Sequence, residues 1–277
     1  MNGPTRPPAQ ANNQSATYQR LPSVKKIIAV GAGKGGVGKS TVAVNLAVAL
    51  SRLGASVGLL DGDIYGPSIP TMLGLRDTTP EIDEEKRKIK PLPAHGISCV
   101  SMGFLLKRDD AVVWRGPMLG KALQQFVDDV DWGELDYLVV DLPPGTSDIH
   151  ITLSQNFEIN GSIIITTPQK ISTIDAEKAV AMFKKENTKV PILGIIQNMS
   201  HFISDDGHKH FIFGEDGGRD LSRRLDLELL GDIPIDKNIS KSSDNGYPVV
   251  LKEENSSSVF TDICHNIARK IAVNNFK

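Results

Sequence analysis

Residues 33–40 read Gly-Lys-Gly-Gly-Val-Gly-Lys-Ser and fit the pattern G-x-x-x-x-G-K-[ST]. The pattern lies between an apolar run, Lys26–Val30, and a segment with helical spacing, Lys39–Leu53. In such a loop the glycines let backbone N–H groups turn toward phosphate oxygens, and the start of the helix adds a favourable dipole. The sequence therefore predicts a phosphate-binding loop between a strand and a helix.

Two side chains of this loop carry the chemistry expected of a nucleoside triphosphate site. Lys39 neutralises the β- and γ-phosphate oxygens, and the Ser40 hydroxyl is a ligand for Mg²⁺. The expected cofactors are therefore ATP and Mg²⁺. The expected nucleotide-binding residues of the loop are Gly33, Lys34, Gly35, Gly36, Val37, Gly38, Lys39, Ser40 and Thr41.

Short apolar runs alternate with longer amphipathic segments along the chain. Continuous β-branched runs predict strands that are buried on both faces of a sheet. Their alternation with helical segments predicts a doubly wound α/β fold of the P-loop NTPase type, with mainly parallel strands and helices on both faces. The predicted strands are Lys26–Val30, Val57–Leu60, Tyr137–Val140, Ser162–Thr166 and Ile192–Ile196. The predicted helices are Lys39–Leu53, Leu119–Val130, Asp175–Lys185 and Gly218–Leu225.

Two segments differ in composition from this alternating pattern. Met1–Pro22 is rich in Pro, Asn, Gln, Ser and Thr and has no acidic residue, which predicts a disordered leader before an ATPase domain at residues 23–277. Such a leader also suits an organellar transit peptide, although its prolines oppose an amphipathic helix. The mixed-charge segment Glu81–Lys90 is expected to form a surface hairpin or loop.

Composition limits the partners and the compartment. With 31 basic and 33 acidic side chains, the chain has no overall charge that would attract nucleic acid or an anionic membrane. Its apolar runs are shorter than the ~18 residues of a membrane-spanning helix. We expect a cytoplasmic protein, with an organellar matrix left open, that binds neither nucleic acid nor membrane. The two cysteines, Cys99 and Cys264, form no C-x-x-C pair and lie in segments typical of the core.

Acidic side chains follow two of the predicted strands. Asp61-Gly62-Asp63 ends the second strand, and Asp141 ends the run Tyr137–Val140. Doubly wound sheets bind their ligands at the carboxyl ends of strands, so these carboxylates are expected beside the phosphate loop. A lone carboxylate after four apolar residues is costly to bury without a cation, which favours a metal role for Asp141. Helix capping or turn formation is the alternative for Asp61 and Asp63.

The extra lysine of the loop, Lys34, makes it similar to the deviant Walker A class of dimeric nucleotide switches. The resemblance implies that Lys34 reaches across a subunit boundary to the partner's nucleotide, so that ATP clamps a homodimer. It also implies that Asp63 orients or deprotonates the attacking water and that Asp141 is linked to Mg²⁺ through water. The expected catalytic residues are Lys34, Lys39 and Asp63. The expected metal-site residues are Ser40, Asp61 and Asp141.

Six further segments carry a more specific resemblance. They are Tyr65–Pro70, Trp114–Met118, Pro143–Asp148, Thr167–Gln169, Gln197–Ser200 and Leu230–Pro234. Together they resemble the Mrp/NBP35 family of iron–sulfur cluster carriers, which includes ApbC and Ind1-like members, and the similarity runs from about Val24 to Val250. It implies an ATPase that binds a cluster at a dimer interface and transfers it to apoproteins. It also implies that Asn198 hydrogen-bonds the adenine and that the segment around Pro234 closes over the base.

The chain departs from that family between its Asn-Met-Ser and Ile-Phe-Gly segments. Relatives usually place a C-x-x-C pair there, so that two protomers supply four thiolates to a bridging cluster. In this chain the interval from His201 to Phe211 contains no cysteine. The histidines His201, His208 and His210 suggest a metal site, but their loose spacing favours a solvated loop. The sequence therefore identifies no cluster ligands.

A partitioning or positioning switch of the MinD/ParA type is the alternative function, because it shares the loop and uses ATP dimers to bind membrane or DNA. An apolar stripe near the C-terminus of this chain resembles the membrane-targeting helix that such a switch would use. Only Arg269, Lys270 and Lys277 supply positive charge there, so packing against the sheet is the favoured interpretation. The stripe consists of Val259, Phe260, Ile263, Cys264, Ile267 and Ile271. A reductase similar to the nitrogenase iron protein is excluded, because such a protein needs ligating cysteines that this chain lacks.

Overall fold

The computed structural model describes residues 21–64, 66–104, 123–146, 148–185, 188–252 and 255–274. The strands are β1 Val24–Ala32, β2 Val57–Asp61, β3 Ile82–Asp83, β4 Lys88–Ile89, β5 Leu92–Ala94, β6 Ile97–Ser101, β7 Leu135–Asp141, β8 Gly161–Thr166, β9 Ile192–Ile203, β10 Lys209–His210 and β11 Leu229–Ile235. The helices are α1 Lys39–Arg52, α2 Ile69–Met72, α3 at residues 123–128, α4 Asp148–Asn156, α5 Lys170–Phe183, α6 Gly217–Leu225, α7 Lys237–Asp244 and α8 Asn255–Asn274. Short 3-10 turns lie at Met102–Phe104 and Val249–Leu251.

A nine-stranded sheet organises these elements in the order β10-β9-β8-β1-β7-β2-β6-β5, and β11 also pairs with β9. The strands β5 and β10 pair antiparallel with their neighbours, whereas the other pairings in this sheet are parallel. Because β1 lies between β7 and β8, the loop that follows it opens in the middle of the carboxyl edge. Ligands bind at this position in doubly wound sheets.

Helices cover both faces of the sheet, which confirms the predicted doubly wound α/β fold. Residues of α1 and α8 form one apolar core with the inward side chains of one face. Residues of α3, α4, α5 and α6 form the second core on the opposite face. The strands alternate their side chains between these two cores, so a strand such as β8 is buried along its whole length.

All five predicted strands are confirmed, but β9 is longer than expected. It continues from Ile196 to Ile203 because β11 pairs with its polar half, Gln197 and Asn198 included. Apolar periodicity cannot reveal a strand that continues through polar residues. The interval His201–Phe211, expected to be a solvated loop, is largely exposed, and its chain forms a hairpin in which β10 pairs with the end of β9.

The predicted helices agree with α1, α5 and α6, with one clear difference in bounds. The helix expected at Asp175–Lys185 begins five residues earlier, at Lys170. Its first turns present Ile171 and Ile174 to solvent, so they lack the buried stripe that marks a helix in a sequence. Of the helix expected at Leu119–Val130, residues 119–122 lie outside the described residues, and residues 123–128 are helical.

Several sequence predictions concern segments at the periphery. Glu81–Lys90 contains the two-stranded hairpin of β3 and β4, as expected. Of the predicted leader Met1–Pro22, only Leu21 and Pro22 are described, so the leader and the domain boundary at residue 23 stay predictions. The segment Trp114–Met118 lies outside the described residues, as do Tyr65 and Ser147.

The apolar stripe near the C-terminus packs inside the protein. It lies on α8, where Phe260 and Ile267 belong to the same core as α1, and Val259 packs against that core. Glu228 forms ion pairs with Arg269 at 3.0 Å and with Lys270 at 3.0 Å, which hold the polar side of the helix. Packing against the sheet is therefore confirmed. Within the described part of the chain, no helix combines the length and the apolar character needed to cross a membrane.

Candidate nucleotide-binding site

The loop at residues 33–38 joins β1 to α1 at the carboxyl edge of the sheet. Gly38, which precedes the first helical residue, has a φ of 84°, a left-handed conformation that favours glycine. A Cβ atom at Gly38 would also lie 2.1 Å from Asn198 Nδ2. At Gly33 a Cβ atom would lie 2.1 Å from backbone atoms of Asp175. Glycine is thus required where the loop meets β9 and where it meets α5.

Lys39 is buried at the start of α1 among carboxylates. Its Nζ atom donates to Asp141 Oδ1 at 2.7 Å and lies 3.6 Å from Asp63 Oδ2. Ser40 Oγ donates to the other oxygen of Asp141 at 2.6 Å. The structure therefore brings together four residues that the sequence assigns to the site.

Asp61 lies beside this group at the end of β2. It is fully buried and is the register partner of Asp141 in the pairing of β2 with β7. Its carboxylate accepts hydrogen bonds from Ser101 Oγ at 2.9 Å and from the Asp63 N–H at 3.1 Å. Burial, together with the charge of Asp141, raises the pKa of Asp61 to about 7 against the opposing effect of the Ser101 hydrogen bond.

The balance of charge in the site fits a cation. Among the described residues, Lys39 is the one cation that forms ion pairs with Asp63 and Asp141, and the neighbouring Asp61 is, like Asp141, completely buried. Burial also raises the pKa of Asp141, although the Lys39 charge opposes this shift. The Ser40 hydroxyl and the Asp141 carboxylate offer the oxygen ligands that Mg²⁺ prefers. The residues present therefore fit a magnesium ion beside a bound phosphate.

The two residues expected at the base lie on neighbouring strands. Asn198 on β9 pairs in register with Ile233 on β11, the residue before Pro234. The Asn198 side chain is buried, and its Nδ2 atom donates to the carbonyl of Val37 at 2.8 Å. The strand that carries Asn198 is thus attached to the phosphate loop, and Pro234 lies next to it.

The remaining loop residues have different environments. Lys34 is partly exposed, and no carboxylate of the described residues forms an ion pair with it. This contrasts with Lys39, which has two carboxylates within 4 Å. Thr41 lies in the first turn of α1, where its carbonyl accepts a hydrogen bond from the Asn45 side chain.

Ser101 was not identified from the sequence. It ends β6 next to β2, so its hydroxyl reaches Asp61, its register partner. A signal was available, because Ser101 follows the apolar run Ile97–Val100 as Asp141 follows Tyr137–Val140. The order of the strands, which the sequence does not state, was needed to bring Ser101 and Asp61 together.

A second missed group surrounds Gln197. Its side chain donates to Asp232 at 2.9 Å and accepts a hydrogen bond from the Gly218 N–H at 2.6 Å. Asp232 also accepts from Arg219 at 2.8 Å. These contacts join β9, β11 and the first turn of α6, so they fix the strand on which Asn198 lies.

The hairpin at 201–211 carries the histidines that the sequence suggests as a metal site. Ser204 hydrogen-bonds to Asp206 and to His210, and His208 lies 3.3 Å from Asp206. Even so, no group of three or more histidine, cysteine or acidic side chains among the described residues could hold a metal ion.

Cys99 and Cys264 are both fully buried in the core, as expected. Burial raises the pKa of Cys264 to about 12 and that of Cys99 well above its usual value.

The doubly wound sheet and the glycine-rich loop define a P-loop NTPase. Residues 23–272 match a family model described as ParA, NUBPL iron-transfer P-loop NTPase. This chain belongs to that family. The match covers the whole described region apart from its first two and last two residues.

The chain is similar to named iron–sulfur proteins along most of its length. It is 50% identical over 242 residues to the iron–sulfur cluster carrier protein of Aquifex aeolicus, covering 87% of this chain and 66% of that protein. It is 47% identical over 256 residues to the iron–sulfur cluster transfer protein NUBPL of Mus musculus, covering 91% of this chain and 79% of that protein. The chain thus spans about two thirds of the bacterial relative and more of the mouse one.

Solved structures support the same fold. A nucleotide-binding protein of Archaeoglobus fulgidus in complex with ADP superimposes with a TM-score of 0.74 at 38% identity, covering 87% of this chain and 94% of that one. The cell division ATPase MinD of Pyrococcus furiosus superimposes with a TM-score of 0.64 at 22% identity, covering 88% and 99%. The second likeness concerns the fold alone.

Proposed function

We propose that this protein is a Mg²⁺-dependent, homodimeric ATPase that carries iron–sulfur clusters and transfers them to apoproteins. The observation that carries the proposal is the convergence of Lys39, Ser40, Asp63 and Asp141 at the carboxyl edge of the sheet. That arrangement occurs in a chain whose relatives are named iron–sulfur cluster carriers. The cargo and the apoproteins are inferred from those names, whereas the nucleotide chemistry is inferred from the site.

The nucleotide chemistry follows from the charges of the site. Lys39 and the loop N–H groups would bind the phosphate oxygens, and Ser40 and Asp141 would hold Mg²⁺, directly or through water. When bound, Mg²⁺ neutralises charge on the phosphates. Asp63, which is 13% exposed and therefore reachable by water, would orient or deprotonate the attacking water molecule. Asn198 and Pro234 would contact the base.

Lys34 provides the argument for the homodimer. Its ammonium is partly exposed at the loop and has no carboxylate partner among the described residues, so it is available to a neighbouring protomer. A phosphate group from a partner's nucleotide would satisfy this charge. We therefore place Lys34 at a dimer interface that closes over ATP.

Replacing Lys34 by alanine is expected to leave nucleotide binding by the monomer within about threefold and to abolish the ATP-dependent dimer. Light scattering with and without Mg-ATP measures the dimer, and a nucleotide titration measures affinity. Lys25→Ala is a matched control, because Lys25 is exposed at the opposite end of β1 and pairs with Asp136. An unchanged ATP-dependent dimer with unchanged turnover would refute the role of Lys34 across the interface.

The cargo must be held without the chain's own thiolates. Cys99 and Cys264 are fully buried, and burial raises their pKa values, so neither is a thiolate at neutral pH. The hairpin at 201–211, where the family usually carries cysteines, presents serine, aspartate and histidine side chains instead. Histidine or external thiols such as glutathione are the remaining sources of soft ligands.

Anaerobic reconstitution with iron and sulfide is therefore expected to give a cluster that is substoichiometric or quickly removed by a chelator. Iron and sulfide analysis and the visible spectrum measure loading before and after chelator. Alanine replacements of Cys99 and Cys264 are expected to leave loading unchanged, because both side chains lie in the core. A stable cluster that disappears on one of these replacements would show that this cysteine is a ligand.

A further inference from the structure

The hydroxyl of Ser101 is held between a backbone donor and a carboxylate. Ser101 ends β6 and is fully buried. Its Oγ atom accepts a hydrogen bond from the Gly103 N–H at 2.9 Å and donates to Asp61 Oδ2 at 2.9 Å. A serine hydroxyl has one proton to donate, and here that proton is directed to the carboxylate. The orientation of this hydroxyl is therefore set from both sides.

The other oxygen of Asp61 fixes the turn that carries Asp63. Asp61 Oδ1 accepts a hydrogen bond from the Asp63 N–H at 3.1 Å, the pattern of an Asx-turn. A carboxylate is planar, so its two oxygens move together when it rotates. If Asp61 turned away from Ser101, it would also lose its contact with the Asp63 N–H.

The chain beyond Asp63 packs against the segment that follows Ser101. A Cβ atom at Gly103 would lie 2.8 Å from Pro67 Cβ, so the Gly103 backbone is in close contact with the Pro67 ring. Gly103 is also the residue whose N–H donates to the Ser101 hydroxyl. Ser101 is thus connected to the chain on both sides of Asp63, through Asp61 before it and through Gly103 after it.

The Asp63 carboxylate is held only loosely by Lys39. Its Oδ2 atom lies 3.6 Å from Lys39 Nζ, which is beyond hydrogen-bond distance. The same ammonium donates to Asp141 at 2.7 Å. A bound nucleotide would also attract this ammonium to its phosphate oxygens. The position of the Asp63 carboxylate therefore depends on the backbone from which it extends.

We propose that Ser101 is a positioning residue for ATP hydrolysis, an inference that rests on the proposed function. Through Asp61 it holds the backbone of Asp63, so that the Asp63 carboxylate faces the attacking water. Reacting groups lose much of their effect when they are misplaced by about 1 Å. Ser101 is fully buried and its hydroxyl is bonded to Asp61 and Gly103, so its loss affects hydrolysis and not nucleotide affinity.

Replacing Ser101 by alanine is expected to lower the single-turnover rate of ATP hydrolysis about tenfold, with ATP affinity within twofold of the wild type. Its melting temperature is expected to fall, because buried Asp61 loses a donor. Ser101→Cys fills a similar space with a weaker donor and is expected to show the same split between rate and affinity. It carries the comparison if the alanine variant is not folded.

Ser154→Ala is the matched control. It removes another buried hydroxyl, one that donates to the His150 carbonyl at 2.7 Å within α4. Both the hydrolysis rate and the ATP affinity are expected to stay within twofold of the wild type. Rapid-quench hydrolysis, calorimetric titration with ATP and melting curves give all three quantities for every variant.

A double variant tests whether Ser101 acts through Asp63. Asp63→Asn removes the carboxylate but keeps the N–H that bonds to Asp61. In that background Ser101→Ala is expected to slow hydrolysis by less than twofold, because no carboxylate remains to be positioned. A tenfold loss in both backgrounds, or a lower apparent affinity for Mg²⁺ in Ser101→Ala, would overturn the proposal, since Ser101 would then act independently of Asp63.

The outcomes separate this inference from the proposed function. If the wild type does not hydrolyse ATP, the proposed function fails and the inference fails with it. If the wild type hydrolyses ATP and folded Ser101→Ala and Ser101→Cys do so within twofold of it, the role of Ser101 fails and the proposed function stands. A lower melting temperature with an unchanged rate would show that Ser101 only stabilises the fold.

Discussion

ATP hydrolysis is expected to fall by at least about a hundredfold when Lys39 is replaced by alanine. The ammonium is buried, and it lies 2.7 Å from Asp141, the carboxylate expected to hold Mg²⁺. A charge-assisted contact to phosphate in such a dry site contributes about 3 kcal/mol to stabilising the transition state. Steady-state phosphate release with Mg-ATP measures the effect.

The Lys39 result needs a control for folding, because alanine would leave Asp141 and Asp63 without their cation. Lys39→Met retains the length of the side chain and is expected to lose hydrolysis to the same extent. Circular dichroism and melting curves show whether each variant is folded, and Lys25→Ala controls for the loss of a lysine elsewhere. A folded Lys39 variant with turnover within twofold of the wild type contradicts the assignment of the loop.

Replacing Asp63 by asparagine is expected to lower hydrolysis by about two to three orders of magnitude while ATP affinity changes less than threefold. Asp63 is the carboxylate of the site that water can reach, whereas Asp61 and Asp141 are fully buried. A positioned general base or water-orienting group contributes an effect of roughly 10²–10⁴. Asparagine keeps the shape of aspartate but cannot accept a proton at neutral pH.

Single-turnover hydrolysis and a separate ATP titration distinguish the catalytic role of Asp63 from a binding role. Asp131→Asn is the control, because Asp131 is a surface carboxylate that pairs with Lys86 at 2.7 Å. Equal losses of affinity and of hydrolysis in Asp63→Asn would show that Asp63 contributes to binding. Unchanged hydrolysis would exclude it from the catalytic step.

The sequence predicts the fold and the centre of the site because both depend on local patterns. The phosphate loop is a continuous motif, and the carboxylates Asp61 and Asp141 each follow an apolar strand. The rule that ligands bind at the carboxyl ends of parallel strands then places them together. The structure confirms this arrangement, with Asp61 and Asp141 as register partners.

The parts that the sequence did not reveal depend on contacts between distant segments. Ser101 reaches Asp61 only because β6 lies beside β2, and no local pattern gives that order. The polar half of β9 pairs with β11 through Gln197 and Asn198, where hydrophobic periodicity has ended.

Cluster transfer from this protein to an apoprotein tests the proposed function most directly. The protein is loaded anaerobically with iron and sulfide, separated from free reagents and mixed with the apo form of an iron–sulfur enzyme. We expect the enzyme to regain activity in proportion to the iron and sulfide supplied, faster with wild-type protein than with Lys39→Met when Mg-ATP is present. If the protein retains no iron and sulfide after separation, or if the acceptor is activated no faster than by free iron and sulfide, the carrier function is contradicted.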